Sequence, residues 1–124
     1  LYQVAAANKG IVVGTGNKVE DFGVGFYTKY GDGGVDISPI ADCNKTEVWE
    51  LGKELGILKE IIDAPPTDGL WDDGRTDEGQ LGFKYSELED AMGNPNSPHR
   101  EQYEKIRNQN LHKMEPIPVC KIPS

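Results

Sequence analysis

Within nine residues, Thr28-Lys29-Tyr30-Gly31-Asp32-Gly33-Gly34-Val35-Asp36 sets one ammonium group and two carboxylates on a backbone that carries three glycines. Glycine lets the chain approach a ligand closely, or take up φ > 0 without a Cβ penalty. A loop of this kind, followed by Pro39, suits recognition of a polar ligand between acid and base. Asp32-Gly33 is also a strong turn signal, and a plain hairpin turn accounts for the stretch alone equally well.

Such a loop needs elements to hold it. Upstream, Ile11-Val12-Val13 runs into Gly14-Thr15-Gly16-Asn17-Lys18. A short apolar run bounded by glycines reads as a buried central strand of a parallel sheet, and ligands of α/β sheets bind in the crevice at the carboxyl ends of such strands. A dinucleotide fingerprint would need a third glycine at position 19, which is Val19. That reading fails and leaves Thr15, Asn17 and Glu20 as polar groups at a strand end.

Downstream, Asn44 and Glu47 have the spacing of a capping box, followed by Val48, Leu51 and Leu55 at helical spacing and by Gly56. Lys45 then falls in the first turn of the helix, where the macrodipole disfavours a cation. Beside exposed backbone N–H groups it could serve an anion site, or be a solvated surface lysine.

Taken together, GTGNKVED, FYTKYGDGGVDISPI, NKTEVWELGKELGI, PPTDGLWDDGRTDE and LHK closely resemble ammonia-dependent NAD synthetase, over almost the whole chain and in order. The fold this resemblance implies is α/β, part of the Rossmann-like parallel sheet with flanking helices of the adenine-nucleotide alpha-hydrolase group. The reaction it implies has two steps. Deamido-NAD attacks the α-phosphate of ATP, giving an adenylylated carboxylate and pyrophosphate, and ammonia then displaces AMP to leave the amide.

Carried over by motif, the resemblance implies ATP contacts for Thr15, Lys45 and Thr67, and deamido-NAD contacts for Lys29, Asp36, His112 and Lys113. It implies a Mg²⁺ ligand at Glu20. Counting back from Lys29, an insertion near Asp21 to Gly23 makes Asp21 the other possible ligand, but the Thr15-to-Glu20 spacing favours Glu20. Attack at a phosphorus that carries anionic oxygens demands charge neutralisation and in-line positioning. Mg²⁺ takes oxygen ligands, commonly one or two carboxylates with phosphates and waters. Cys43, Cys120 and the two histidines form no zinc pattern.

Family members carry an SGGxDS loop that cradles pyrophosphate and brings a second metal-binding aspartate; no such stretch occurs here. Leu1 to Ala7 reads as the end of a helix closed by Gly10. The expectation is that residues 1–124 are the C-terminal portion of a single synthetase domain, inactive alone, with the missing strands supplied by the N-terminal half. Members are generally homodimers whose deamido-NAD site draws on both subunits. Rival readings are a non-catalytic nucleotide-binding or interaction module and another ATP pyrophosphatase-type ligase.

Composition agrees with a partial domain. Hydrophobic residues make up 36%, with 15 glycines and 8 prolines, an apolar supply thin for an independent core of 124 residues. A net charge of −8 argues against nucleic acid, whose phosphates need clustered Lys and Arg. Two cysteines make no disulfide framework, and neither a signal peptide nor a long apolar span occurs. No membrane partner is expected, and a cytoplasmic setting fits best.

Between Ile62 and Phe83 no helical periodicity is seen, and the stretch 63–82 is expected to be a mobile lid, with Thr67 to Gln80 closing over ATP. Ser86 and Glu89 have the spacing of a second capping box opening a helix with Leu88, Ala91 and Met92 on one face. His99 to Asn110 is expected to be helical with Tyr103 and Ile106 inward and His99 at the surface. An extended C-terminal tail would include His112 and Lys113.

Overall fold

The computed structural model describes residues 1–123. Six α-helices and one π-helix account for its regular elements: α1 (Tyr2–Ala7), the π-helix (Val19–Val24), α2 (Lys45–Glu54), α3 (Lys59–Ile62), α4 (Asp77–Leu81), α5 (Tyr85–Gly93) and α6 (Arg100–Met114). The core is a cluster in which Val19 and Val24 of the π-helix meet Phe83, Tyr85, Leu88, Ala91 and Tyr103. Met92 and Ile106 pack against its edge, so the predicted inward faces of both C-terminal helices are present.

Side chains from α6 fasten this core through free carbonyls at helix ends, where arginines are favoured partners. Arg107 Nη1 donates to the carbonyls of Phe22 and Gly23. Arg100 Nη1 donates to Ala91 O at 2.7 Å.

The expected parallel sheet is represented, among the described residues, by a single parallel bridge between Val13 and Ile37. Gly14 N–H donates to Ile37 O at 2.7 Å and Asp36 N–H to Val12 O at 2.9 Å. Only Val12 of the apolar run is buried; Ile11 and Val13 are 60% and 51% exposed. The run therefore adopts its predicted extended form and partner direction but has no cover on its outer face within these residues.

Four other expectations are corrected. α1 is closed by Lys9, which takes the left-handed φ of 53°, while Gly10 N–H returns to Ala5 O. α5 begins at Tyr85 rather than after Ser86, because Lys84 N–H donates to Glu87 Oε2 at 2.8 Å. The connector ends in the helix α4, capped by Thr76 Oγ1, which accepts from Gly79 N–H at 3.1 Å. α6 runs to Met114, so His112 and Lys113 occupy its last turn and the extended tail starts after them. The Asn44–Glu47 box does form, with Asn44 N–H donating to Glu47 Oε2 at 2.7 Å.

Candidate functional site

The glycine loop is a set of overlapping turns rather than a hairpin. Gly33 N–H donates to Thr28 O, and Thr28 N–H donates to Asp32 Oδ1 at 2.7 Å. None of its three glycines has positive φ. What Gly33 provides is close approach, since a Cβ there would lie 2.4 Å from the Tyr27 ring.

Tyr27 in turn leads to the end of α6. Its hydroxyl donates to Lys113 O at 2.8 Å, Lys29 Nζ donates to His112 O at 2.6 Å, and Lys113 Nζ donates to Gly25 O at 2.9 Å. Lys29, His112 and Lys113, read from distant parts of the sequence, thus meet. Asp36 stands apart on the parallel pair, where its Oδ2 accepts from Val12 N–H at 2.7 Å.

A cleft of about 790 Å³ has Thr15, Glu20, Lys45, Thr67, Asp77 and Lys113 among its walls. The π-helix aims Glu20 into it, while the adjacent Asp21 lines a separate cavity of about 190 Å³ with Gly16, Tyr27 and Asp32. Gly16 lets that carboxylate lie close against the backbone; a Cβ there would sit 2.2 Å from it, so the Asp21 side chain would have to turn away. Burial first, then the charges of Glu20 and Asp32, push the Asp21 carboxyl up to about 6.

At the cleft wall, Tyr85 O–H donates to Glu20 Oε1 at 2.6 Å and lies 3.3 Å from Asp77 Oδ2. Burial and the two carboxylates hold the Tyr85 hydroxyl far above its ordinary range, so it remains a donor. Lys45 Nζ is 3.6 Å from Glu20 Oε1 and 5.1 Å above the Tyr85 ring. An ion pair and a cation–π contact therefore offset the unfavourable end of the α2 dipole. Glu89 steadies the same end, accepting from Thr46 N–H at 3.0 Å and Thr46 Oγ1 at 2.7 Å.

Asp77 is 7% exposed, and its Oδ1 has no hydrogen-bond partner among the described residues. Burial and then Glu20 raise its pKa, against the Tyr85 hydrogen bond and Lys45. α4 carries it, docked by Glu78 Oε1 accepting from Tyr85 N–H at 2.9 Å. The connector before it is pinned at its base: Asp77 N–H donates to Pro66 O, and Thr67 Oγ1 donates to Arg75 O at 3.1 Å. Farther out, the Arg75 guanidinium stacks 4.2 Å from the Trp71 ring centre.

The structure thus gathers Thr15, Glu20, Lys45, Thr67 and Lys113 in one cleft. Asp77 and Tyr85 were missed as site residues. Asp77 was within reach through the TDE run already noticed, whereas Tyr85 carries no local signal. Among the described residues, no group of three or more His, Cys, Asp or Glu side chains is arranged to hold a metal ion.

A family model described as NAD synthase matches residues 1–122. The chain belongs to the NAD synthase family. It is 41% identical to an NH(3)-dependent NAD(+) synthetase of Alkaliphilus oremlandii, over 98% of this chain and 49% of that relative. With the enzyme of the same name from Methanosarcina acetivorans it shares 51% identity, over 74% of this chain and 35% of the relative. The structure of an NMN synthetase from Francisella tularensis superposes with a TM-score of 0.90 at 37% identity, covering 98% of this chain and 51% of that one. This NAD synthase family chain spans about half, or less, of the length of the curated relatives it matches.

Proposed function

We propose that the full-length protein is an NAD synthetase that amidates deamido-NAD with ammonia at the expense of ATP, releasing AMP and pyrophosphate through an adenylylated carboxylate. The observation that carries this reading is the meeting of Thr15, Glu20, Lys45 and Thr67 in one cleft beside Lys113. In this reading Lys45 neutralises the ATP phosphates, Thr15 and Thr67 hydrogen-bond ATP, and Lys29, Asp36, His112 and Lys113 hold deamido-NAD, as the family resemblance implies. Transferring these roles makes the cleft an electrostatic frame for phosphoryl chemistry.

Mg²⁺ fits this frame, because the carboxylate of Glu20 is a hard oxygen donor facing a cleft that would admit phosphates and waters. Glu20 would hold it, and when bound the ion would supply charge neutralisation on the ATP phosphates. Lys45 beside Glu20 keeps that carboxylate compensated. The connector 63–82 is proposed as the lid.

Ile11, Val13 and Ile37 are exposed along the parallel pair, an apolar surface of the kind that marks an interface. They support a larger α/β domain, with further parallel strands completing the sheet. A cytoplasmic homodimer completes the proposal; no described helix is long and apolar enough to cross a membrane.

Pyrophosphate release by the full-length protein should require ATP together with deamido-NAD. Lys45→Ala should weaken ATP use far more than deamido-NAD binding, and Asp36→Ala should do the reverse; equal losses in either variant would remove the assigned roles. The resemblance at a TM-score of 0.90 to a protein named NMN synthetase favours a second reading, in which the substrate is the carboxylic acid form of NMN. Release prompted by that mononucleotide and not by deamido-NAD would select it.

A further inference from the structure

Three observations single out Asp77. It is 7% exposed, its Oδ1 has no hydrogen-bond partner among the described residues, and it lines the cleft that holds Glu20 and Lys45. A buried carboxylate oxygen without a partner is strongly unfavourable unless something cationic or protic completes it. The surrounding groups do not: Tyr85 O–H reaches only Oδ2, at 3.3 Å, and makes its short bond of 2.6 Å to Glu20. Lys45 is engaged with Glu20 and the Tyr85 ring.

The two carboxylates nevertheless share one hydroxyl, which brings their oxygens to the same small region of the wall. Two such groups side by side repel each other unless a positive charge lies between them. The position of Asp77 is also well fixed, through Asp77 N–H to Pro66 O at 2.9 Å and through Glu78 to Tyr85 N–H. Its exposure to the cleft is therefore built into α4 and does not depend on a wandering side chain.

We infer that Asp77 is a further carboxylate ligand of the divalent cation assigned to Glu20, with Oδ1 as the ligating atom and the Tyr85 hydroxyl bridging the two acids when no cation is bound. The inference rests on the proposed metal role of Glu20 and deepens it. Oxygen donors from two carboxylates, with remaining positions left to phosphate and water, are the set that a hard divalent ion takes. Because Asp77 opens the helix α4 in which the connector ends, and its N–H holds Pro66 O, cation binding also anchors the base of the segment that carries Thr67.

The test is titration of the full-length protein with Mn²⁺ alone, reading free Mn²⁺ by electron paramagnetic resonance. Asp77→Asn keeps shape and a Tyr85 contact, and should raise the Mn²⁺ Kd about tenfold, the scale on which supporting groups of metal sites act. Glu20→Gln should weaken binding at least as much. Tyr85→Phe leaves both carboxylates and should retain wild-type affinity. Wild-type affinity in Asp77→Asn, with binding lost in Glu20→Gln, would overturn the inference and leave the metal role of Glu20 standing. Equal losses in Asp77→Asn and Tyr85→Phe would overturn it too, by making the effect one of packing. No Mn²⁺ binding by the wild type, or binding unchanged in Glu20→Gln, would overturn both.

Discussion

Glu20 and Asp21 are neighbours in sequence with different surroundings: the first faces the large cleft and an ammonium group, the second a small cavity beside Asp32. The difference should be measurable through pH. With its carboxyl raised from 3.8 to about 6, folded Asp21 binds a proton more tightly than the unfolded chain does. The stability contributed by that proton is full below 3.8 and is lost as pH rises through about 6. Asp21→Asn should therefore stabilise the full-length protein near pH 8, by about 1 kcal/mol after allowing for solvent screening of a half-buried group, and do nothing near pH 4. Urea denaturation at the two pH values checks this, and a gain of equal size at both would contradict it. At this scale the sequence was informative where spacing mattered: Thr15 to Glu20, and Lys45 after its cap. It was silent on Tyr85, whose role depends on residues 20, 77 and 85 meeting in space.

The start of α2 illustrates how elements position the site. Asn44 and Glu47 set its first turn locally, and this was legible because a capping box lies within four residues. The spacing of Ser86 and Glu89 looked equally good, yet Glu89 reaches across to Thr46, and Lys84 with Glu87 opens α5 instead. A local motif loses to a tertiary partner when the latter offers both an N–H and a hydroxyl to one carboxylate. Glu89→Ala should accordingly destabilise the full-length protein by about 1 kcal/mol, the net scale for hydrogen bonds lost from half-buried donors that water can reach. It should also raise the KM for ATP, because Lys45 is the neighbour of the released Thr46. Unchanged urea midpoints would show that Thr46 finds another partner.

Over the whole molecule, the family and the cleft could be read from ordered motifs, whereas the sheet could not be drawn from these residues. The Val13–Ile37 bridge needs strands that the described residues do not contain. The connector shows no helical periodicity in sequence, yet α4 closes it and Pro66 and Arg75 pin its base. If Thr67 to Gln80 is a lid, protease cleavage there should slow on addition of ATP and deamido-NAD to the full-length protein. Ligand at about a hundred times its Kd stabilises a closed form by about 2.7 kcal/mol, so protection could reach about a hundredfold. Cleavage at an unchanged rate would exclude closure. The bonds from Tyr27, Lys29 and Lys113 join positions 83 to 88 apart, turning most of the chain into a non-covalent ring with the connector on its circumference. A single nick there linearises the covalent chain but leaves the ring's fastening intact, so the two pieces would travel together under native conditions and part only when denatured.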